Sequence, residues 1–167
     1  ANYIKEISDI INFKKKYKIA HLCIVGGYDS WMVAKRLKEN NISIMLTRVH
    51  GLPKRDHDDI HLPFKLPGML AKEGVLFCIQ NAGDMEQMIT RNLPFMVGTA
   101  IAYGLEYEKG VASVTLNAAK ILGIDDRLGS IEKGKDATLF ISSGDAFDMI
   151  SNNIEYNRHI PNCKINK

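Results

Sequence analysis

Apolar residues recur at two different spacings in the first part of the chain. Residues 3–16 carry isoleucines at helical spacing with lysine and aspartate between them, which predicts an amphipathic helix. Residues 19–25 and 42–46 are instead nearly continuous apolar runs, as in fully buried strands. A helical pattern lies between the two runs and follows Gly26 and Gly27. A strand, a helix and a strand in so short a stretch predict a crossover unit with parallel strands.

The same alternation continues further along the chain. A third strand is predicted over residues 75–79, after a loop and a short helical stretch near 69–72. We expect Asp29 or Ser30 to cap the helix that follows the glycine pair, because short polar side chains accept hydrogen bonds from free N–H groups. Three more helices are predicted over residues 94–103, 106–114 and 116–122.

The tail has a different pattern. In "LGSIEKGKDATLFIS", Leu128 to Ser142, turn glycines precede a β-rich run, which predicts a hairpin rather than another crossover. We therefore divide the chain into an α/β body, residues 1–125, and a small β element, residues 126–167.

Composition narrows the class of protein. The 167 residues and 46% hydrophobic content fit one domain or a large piece of one, and a net charge of +3 argues against a nucleic-acid partner. Three cysteines without CxxC spacing argue against a disulfide framework and favour a cytoplasmic location. No apolar run approaches about 18 residues, so no membrane partner is expected. Because the chain begins with Ala1 and opens directly into a helical pattern, we also expect an upstream part to be missing.

The segment "HGLPKRDHDDIH", from His50 to His61, combines three histidines and three aspartates. Imidazole and carboxylate groups are ligands for zinc and other divalent ions, so His50, His57 and His61 are candidate metal ligands. His57 and His61 have the spacing that would place both on one helix face. Pro53 and Pro63 bracket a stretch without a helical apolar pattern, however, so an exposed functional or partner-contacting loop is the alternative.

Polar residues also follow the third predicted strand. Asp84, Arg91 and Asn92 are candidates to meet a substrate at the end of this strand, and His50, Asp84 and Arg91 are the candidate catalytic residues. The alternative is structural, with Asp84 capping a short helix and Arg91 pairing with an acid.

The glycine pair after the first strand has two interpretations. Backbone N–H groups at Gly26 and Gly27 could bind an anion, but the spacing lacks the GxGxxG pattern of dinucleotide sites. A tight turn from strand to helix, near the rim of an active-site face, fits the pattern better.

The tail resembles a known family. The segment "VTLNAAKILGIDDRLGSIEKGKDATLFISSGDAFDM", residues 114–149, is similar to the C-terminal motif of the amidohydrolase superfamily, the metal-dependent hydrolases related to imidazolonepropionase. The segment "RNLPFMVGTAIAYGL" resembles the helix after the last barrel strand of that family. The matching tail positions are Asn117, Ala119, Leu122, Gly123, Gly129, Ile131, Gly134, Lys135, Asp136 and Ala137.

This resemblance implies an α/β fold: a (β/α)8 barrel with a β-sandwich built from both ends of the chain. A barrel typically needs about 250 residues. The chain would therefore supply a partial barrel, with its last three or so strands and their helices, and the C-terminal part of the small β-sandwich. By order, residues 19–25, 42–46 and 75–79 resemble the sixth, seventh and eighth strands.

The resemblance also implies a metal site at the strand ends, with a histidine after the sixth strand and an aspartate after the eighth. Here the sixth ends in Gly26 and Gly27 and the eighth in Gln80 and Asn81, none of which can replace those groups. The resemblance therefore identifies no residue of this sequence as one of the family's metal ligands. A divalent metal, with zinc the first candidate, would be bound by upstream residues, with His50 as a possible additional ligand.

Two functions follow from the resemblance. The first is the C-terminal part of a hydrolase that cleaves the C–N bond of a cyclic amide or similar small molecule with metal-activated water. The second is a catalytically inactive scaffold or partner subunit with the family fold. In either case, exposed strand edges predict association with the missing barrel half or oligomerisation.

Overall fold

The structure, a computed structural model, describes residues 1–47, 49–81 and 86–164, and its body is a three-stranded parallel sheet. The strands are β1 (Leu22–Gly26), β2 (Ile42–Leu46) and β3 (Phe77–Ile79), with β2 in the middle. Cys23 lies opposite Ser43, and Met45 lies opposite Cys78. The predicted crossover unit with parallel strands is therefore present.

Helices pack on one face of this sheet. Residues of β1–β3 that point towards them, such as Ile24, Ile44 and Phe77, are at most 2% exposed. The opposite face is more open, and the Val25 side chain on it is 49% exposed. The helices are α1 (Ile4–Tyr17), α2 (Ala34–Glu39), α3 (Leu62–Lys72), α4 (Leu93–Ala102), α5 (Tyr107–Val114) and α6 (Leu116–Leu122), with 3₁₀-helices at Ser30–Val33 and Glu86–Asn92. No helix within the described ranges is long and apolar enough to cross a membrane.

Helix α3 is longer than the short helical stretch that the sequence predicts near 69–72. It begins at Leu62, directly after His61, and Pro63 occupies its first turn, where a missing N–H costs nothing. Pro67 lies inside the helix and is buried with Leu66, so burial of an apolar face compensates the lost backbone hydrogen bond. The stretch between Pro53 and α3 forms no helix or strand, and α3 begins one residue before Pro63.

The tail forms one antiparallel pair, β4 (Asp136–Ser142) with β5 (Ile154–Lys164). The β-rich run of Leu128 to Ser142 is therefore paired antiparallel, as a hairpin predicts, and its partner is the later strand β5. The intervening segment packs back on the body: the partly buried Phe147 packs against the hydrophobic core, and the Tyr107 hydroxyl donates to the Asp145 carboxylate at 3.0 Å. The assignment of this pair to a β-sandwich stays a prediction.

Candidate functional site

The carboxyl ends of the three parallel strands lie at one edge of the sheet, where α/β proteins place their ligand sites. Gly26 and Gly27 end β1, Thr47 follows β2, and Gln80 and Asn81 follow β3. The Gln80 backbone N–H donates to the Leu46 carbonyl at 3.0 Å, which ties the ends of β2 and β3 together. The groups at this edge are small or neutral.

The glycine pair at the end of β1 is required by close packing. Both residues have positive φ, +111° for Gly26 and +76° for Gly27. A Cβ on Gly26 would lie 2.6 Å from Asn2 Oδ1 and 2.8 Å from the Ala1 carbonyl oxygen. A Cβ on Gly27 would lie 2.8 Å from the Ile44 side chain. The pair therefore forms a tight turn beneath the first two residues and β2, as interpreted from the sequence.

A buried ion pair lies beside this turn. Asp29 is fully buried, and Arg55 donates to it from two guanidinium nitrogens, with Nη1 2.9 Å from Oδ1. The Ile4 backbone N–H donates to Asp29 Oδ2 at 3.0 Å. Asp29 therefore caps the start of α1, and the prediction that it caps the following helix is wrong. The neighbouring Ser30 makes no side-chain capping bond either, and its buried hydroxyl has no partner among the described residues.

Further hydrogen bonds hold the loop after β2 against the residues that follow β1. The Tyr28 hydroxyl donates to Asp58 Oδ2 at 2.6 Å and accepts from the Lys54 backbone N–H at 2.9 Å. Burial, followed by the bond to Asp58, raises the pKa of Tyr28. The Lys54 ammonium lies 5.4 Å from the ring centroids of both Tyr3 and Tyr28. A cavity of about 160 Å³ beside these residues is also lined by Gly26 and Thr47.

The candidate residue His50 lies on the helix layer. Its Nε2 is 2.6 Å from Thr99 Oγ1 on α4, and its ring lies edge-on to Phe64 with the centroids 6.3 Å apart. Because the Thr99 hydroxyl donates to the Phe95 carbonyl at 3.0 Å, His50 must be the donor to Thr99. Burial lowers the pKa of His50. The neutral His50 ring therefore donates to Thr99 of α4 at pH 7.

The other two candidate histidines are at the surface. His57 lies in a turn with 81% of its side chain exposed, and His61 immediately precedes α3. They therefore do not share a helix face. His61 stacks on Tyr103 with the ring centroids 5.0 Å apart. Asp59 accepts from the His61 backbone N–H and pairs with Lys65, and these contacts lower its pKa, the lysine most.

Two of the three candidates after the third strand, Arg91 and Asn92, lie within the described residues. Arg91 is exposed in the Glu86–Asn92 turn, and Asn92 precedes α4 without a side-chain capping bond. Asp84 lies outside the described residues. Asn81 donates through its side-chain amide to the Ile89 carbonyl at 3.4 Å, which joins the end of β3 to this turn.

The described residues do not fit a metal ion at the strand ends. Across the ranges that the structure describes, no group of three or more His, Cys, Asp or Glu side chains is arranged to hold one. The residues that end the strands offer amide and hydroxyl oxygens, which are weak ligands beside imidazole and carboxylate. Gln80 Nε2 is buried at this edge without a hydrogen-bond partner in the described part of the chain.

Sequence reasoning missed the Asp29–Arg55 pair and the Tyr28–Asp58 bond. Their partners are 26 and 30 residues apart, beyond the reach of periodicity or capping rules. The available signal was Asp29, three residues after the end of a buried strand, which the sequence analysis interpreted as a local cap.

Comparisons with known proteins agree with this geometry. Residues 7–164 match the Amidohydrolase family. The crystal structure of an amidohydrolase from Thermotoga maritima MSB8 is 27% identical and superposes with a TM-score of 0.75, covering 95% of this chain and 42% of that one. This chain thus spans about two-fifths of the length of that protein. No curated protein sequence matches the chain.

Two more distant structures share the fold. An amidohydrolase is 20% identical with a TM-score of 0.58, covering 77% of this chain and 34% of its own. A prolidase complexed with N-methylphosphonate-L-proline is also 20% identical with a TM-score of 0.58, covering 83% of this chain and 38% of its own. The parallel sheet and its helices fit part of such a barrel-like fold.

Proposed function

This chain belongs to the amidohydrolase family, and we propose that it is the C-terminal part of a hydrolase that cleaves the C–N bond of a cyclic amide or similar small molecule. The observation that carries the proposal is the family match over residues 7–164, supported by the shared fold of the Thermotoga amidohydrolase. The relatives are more than twice as long, so the complete activity would require residues outside this sequence.

We assign no metal ligand to this chain. Family members are generally metal-dependent, and a zinc or other divalent ion would supply the activated water. The described strand ends carry glycine, threonine, glutamine and asparagine, so any such ion would be held elsewhere in the protein.

The chain would instead shape one side of the substrate site. Gln80 Nε2, buried and without a partner among the described residues, is a donor for a substrate carbonyl. Tyr28 and the loop fixed by Arg55 form a rigid wall beside the end of β1. Groups held on strand ends and by buried ion pairs are preorganised, which is what orientation of a small substrate requires.

A second candidate function is an inactive scaffold with the family fold. Gly26 and Asn81 favour it, because the resemblance implies that active relatives carry a histidine and an aspartate after these strands. Glycine offers no ligand atom, and the Asn81 amide is engaged with the Ile89 carbonyl.

Metal stoichiometry of the complete natural protein separates the two functions. We expect about one tightly bound divalent ion per protein if it is a hydrolase, and none if it is a scaffold. His50→Ala is expected to leave the metal content unchanged, because its ring donates to Thr99 on α4. His57→Ala, on an exposed turn, is the matched control. Loss of metal in the His50 variant alone would place His50 in the site.

A further inference from the structure

The cavity of about 160 Å³ at the ends of β1 and β2 combines an apolar lining with a few polar side chains. Leu46 and Leu66 belong to the apolar lining, and Asn2, Thr47 and Lys54 to the polar lining. Among the described residues that line the cavity, Lys54 alone carries a charge. An apolar cavity of about 150 Å³ holds a benzene-sized molecule, so this one has room for a small ring.

The Lys54 ammonium has no counterion in the described part of the chain. The side chain is exposed, and its ammonium lies 5.4 Å from the ring centroids of both Tyr3 and Tyr28. It forms no ion pair with a carboxylate of the described residues. Glu6 interacts with it electrostatically, but the Glu6 carboxylate already accepts from the backbone N–H groups of Asn2 and Tyr3 at 2.8 and 3.2 Å. The charge of Lys54 is therefore available to a ligand.

The neighbouring cation, Arg55, is in the opposite situation. Its guanidinium pairs with the buried Asp29 and lies 3.6 Å from Asp58. These pairs fix the loop that carries Lys54, and the Lys54 backbone N–H donates to the Tyr28 hydroxyl at 2.9 Å. The lysine therefore starts from a fixed backbone position beside the cavity, which lowers the cost of ordering it around a ligand.

Two further polar groups of the lining are unused. The Thr47 hydroxyl and the Asn2 side-chain amide make no hydrogen bond with another described residue. A hydroxyl and an amide N–H both donate to a carboxylate, and an ammonium adds a charge-assisted bond. Phosphate sites more often use arginine or several backbone N–H groups, and Arg55 is already paired.

From these contacts we propose that the cavity binds the carboxylate of a small cyclic amide, with Lys54 as the residue that determines this specificity. The ring lies against the apolar lining at Leu46 and Leu66, and the carboxylate faces Lys54, Thr47 and Asn2. This inference rests on the proposed function, because it names the substrate class of the same site: a cyclic amide that is also an acid.

Binding of two matched probes to the complete natural protein tests the proposal by calorimetry. Pyroglutamate is a cyclic amide with a carboxylate, and pyrrolidinone is the same ring without it. Lys54→Met keeps the length of the side chain and removes its charge, so it should bind pyroglutamate at least about 10-fold more weakly. Its weaker affinity for pyrrolidinone should not change. Lys65→Met is the control, because Lys65 pairs with Asp59 and does not line the cavity.

Two results would overturn the proposal. The first is equal affinity for pyroglutamate in the natural protein and the Lys54→Met variant, or no binding in either. The second is tighter binding of inorganic phosphate than of pyroglutamate, which would make the cavity a phosphate site.

The test separates this inference from the proposed function, because binding requires no turnover. A protein that binds pyroglutamate through Lys54 and hydrolyses no cyclic amide would support the cavity and contradict the hydrolase. A protein that hydrolyses neutral cyclic amides and does not bind pyroglutamate would support the hydrolase and contradict the cavity.

Discussion

Replacing Gly26 by alanine tests whether the segment at Ala1 and Asn2 is docked on β1. Two costs are expected. An alanine at φ +111° occupies a sparsely populated region, at about 1–3 kcal/mol. Its Cβ also lies 2.6 Å from Asn2 Oδ1 and 2.8 Å from the Ala1 carbonyl oxygen, an overpacking cost of about 1–3 kcal/mol. The free energy of unfolding should therefore fall by about 2–6 kcal/mol.

Gly104→Ala is the matched control. Gly104 has φ +104°, but nothing lies within 4 Å of the position of its Cβ. It therefore carries the backbone cost alone, about 1–3 kcal/mol. The two variants are compared by urea denaturation of the complete protein, and the Gly26 variant should lose about 1–3 kcal/mol more. Equal losses would show that Ala1 and Asn2 do not constrain Gly26, and would refute the packing argument.

Three further predictions concern buried groups. Arg55→Met leaves the buried Asp29 carboxylate without its guanidinium partner and should lower the free energy of unfolding, measured with denaturant, by about 3–5 kcal/mol. Lys65→Met removes the lysine of a half-exposed ion pair and should lower it by less than about 1 kcal/mol. Because burial lowers the pKa of His50 below 6.5, the unfolded chain binds a proton more readily. Stability should therefore fall as the pH drops from about 6.5 through the folded pKa, and His50→Gln should remove that part of the slope between pH 7.5 and 5. Burial raises the pKa of Cys78 to about 11. Iodoacetamide at pH 8 should therefore label this cysteine far more slowly in the folded protein than in the denatured protein, as measured by mass spectrometry. Comparable labelling rates would contradict the burial of Cys78.

Local patterns predicted the sheet and most helices because they depend on neighbouring residues. The apolar runs at 42–46 and the periodicity of 3–16 correspond to β2 and α1 within one residue or so. Helix α3 is longer than its predicted stretch near 69–72, because Pro63 fits its first turn and Pro67 is buried inside it, which local sequence does not reveal.

The candidate site depended on long-range contacts and was predicted less well. The histidine-rich segment has metal-ligand composition, yet His50 packs on α4 and His57 faces solvent, because tertiary contacts decide where side chains point. Aspartate is a residue type that commonly caps helices, but Asp29 accepts from the first residue of α1 rather than capping the helix that follows it. The glycine pair was interpreted as a turn, and the approach of Ala1 and Asn2 gives that interpretation its physical cause.

The most direct test of the proposed hydrolase is activity of the complete natural protein on a panel of small C–N substrates, before and after removal of divalent ions by a chelator. We expect hydrolysis of at least one cyclic amide or related compound, its loss on chelation and its return when zinc is added back. A folded, metal-free protein that hydrolyses no member of the panel under any of these conditions would contradict the proposal. The inactive scaffold would then be the remaining candidate function.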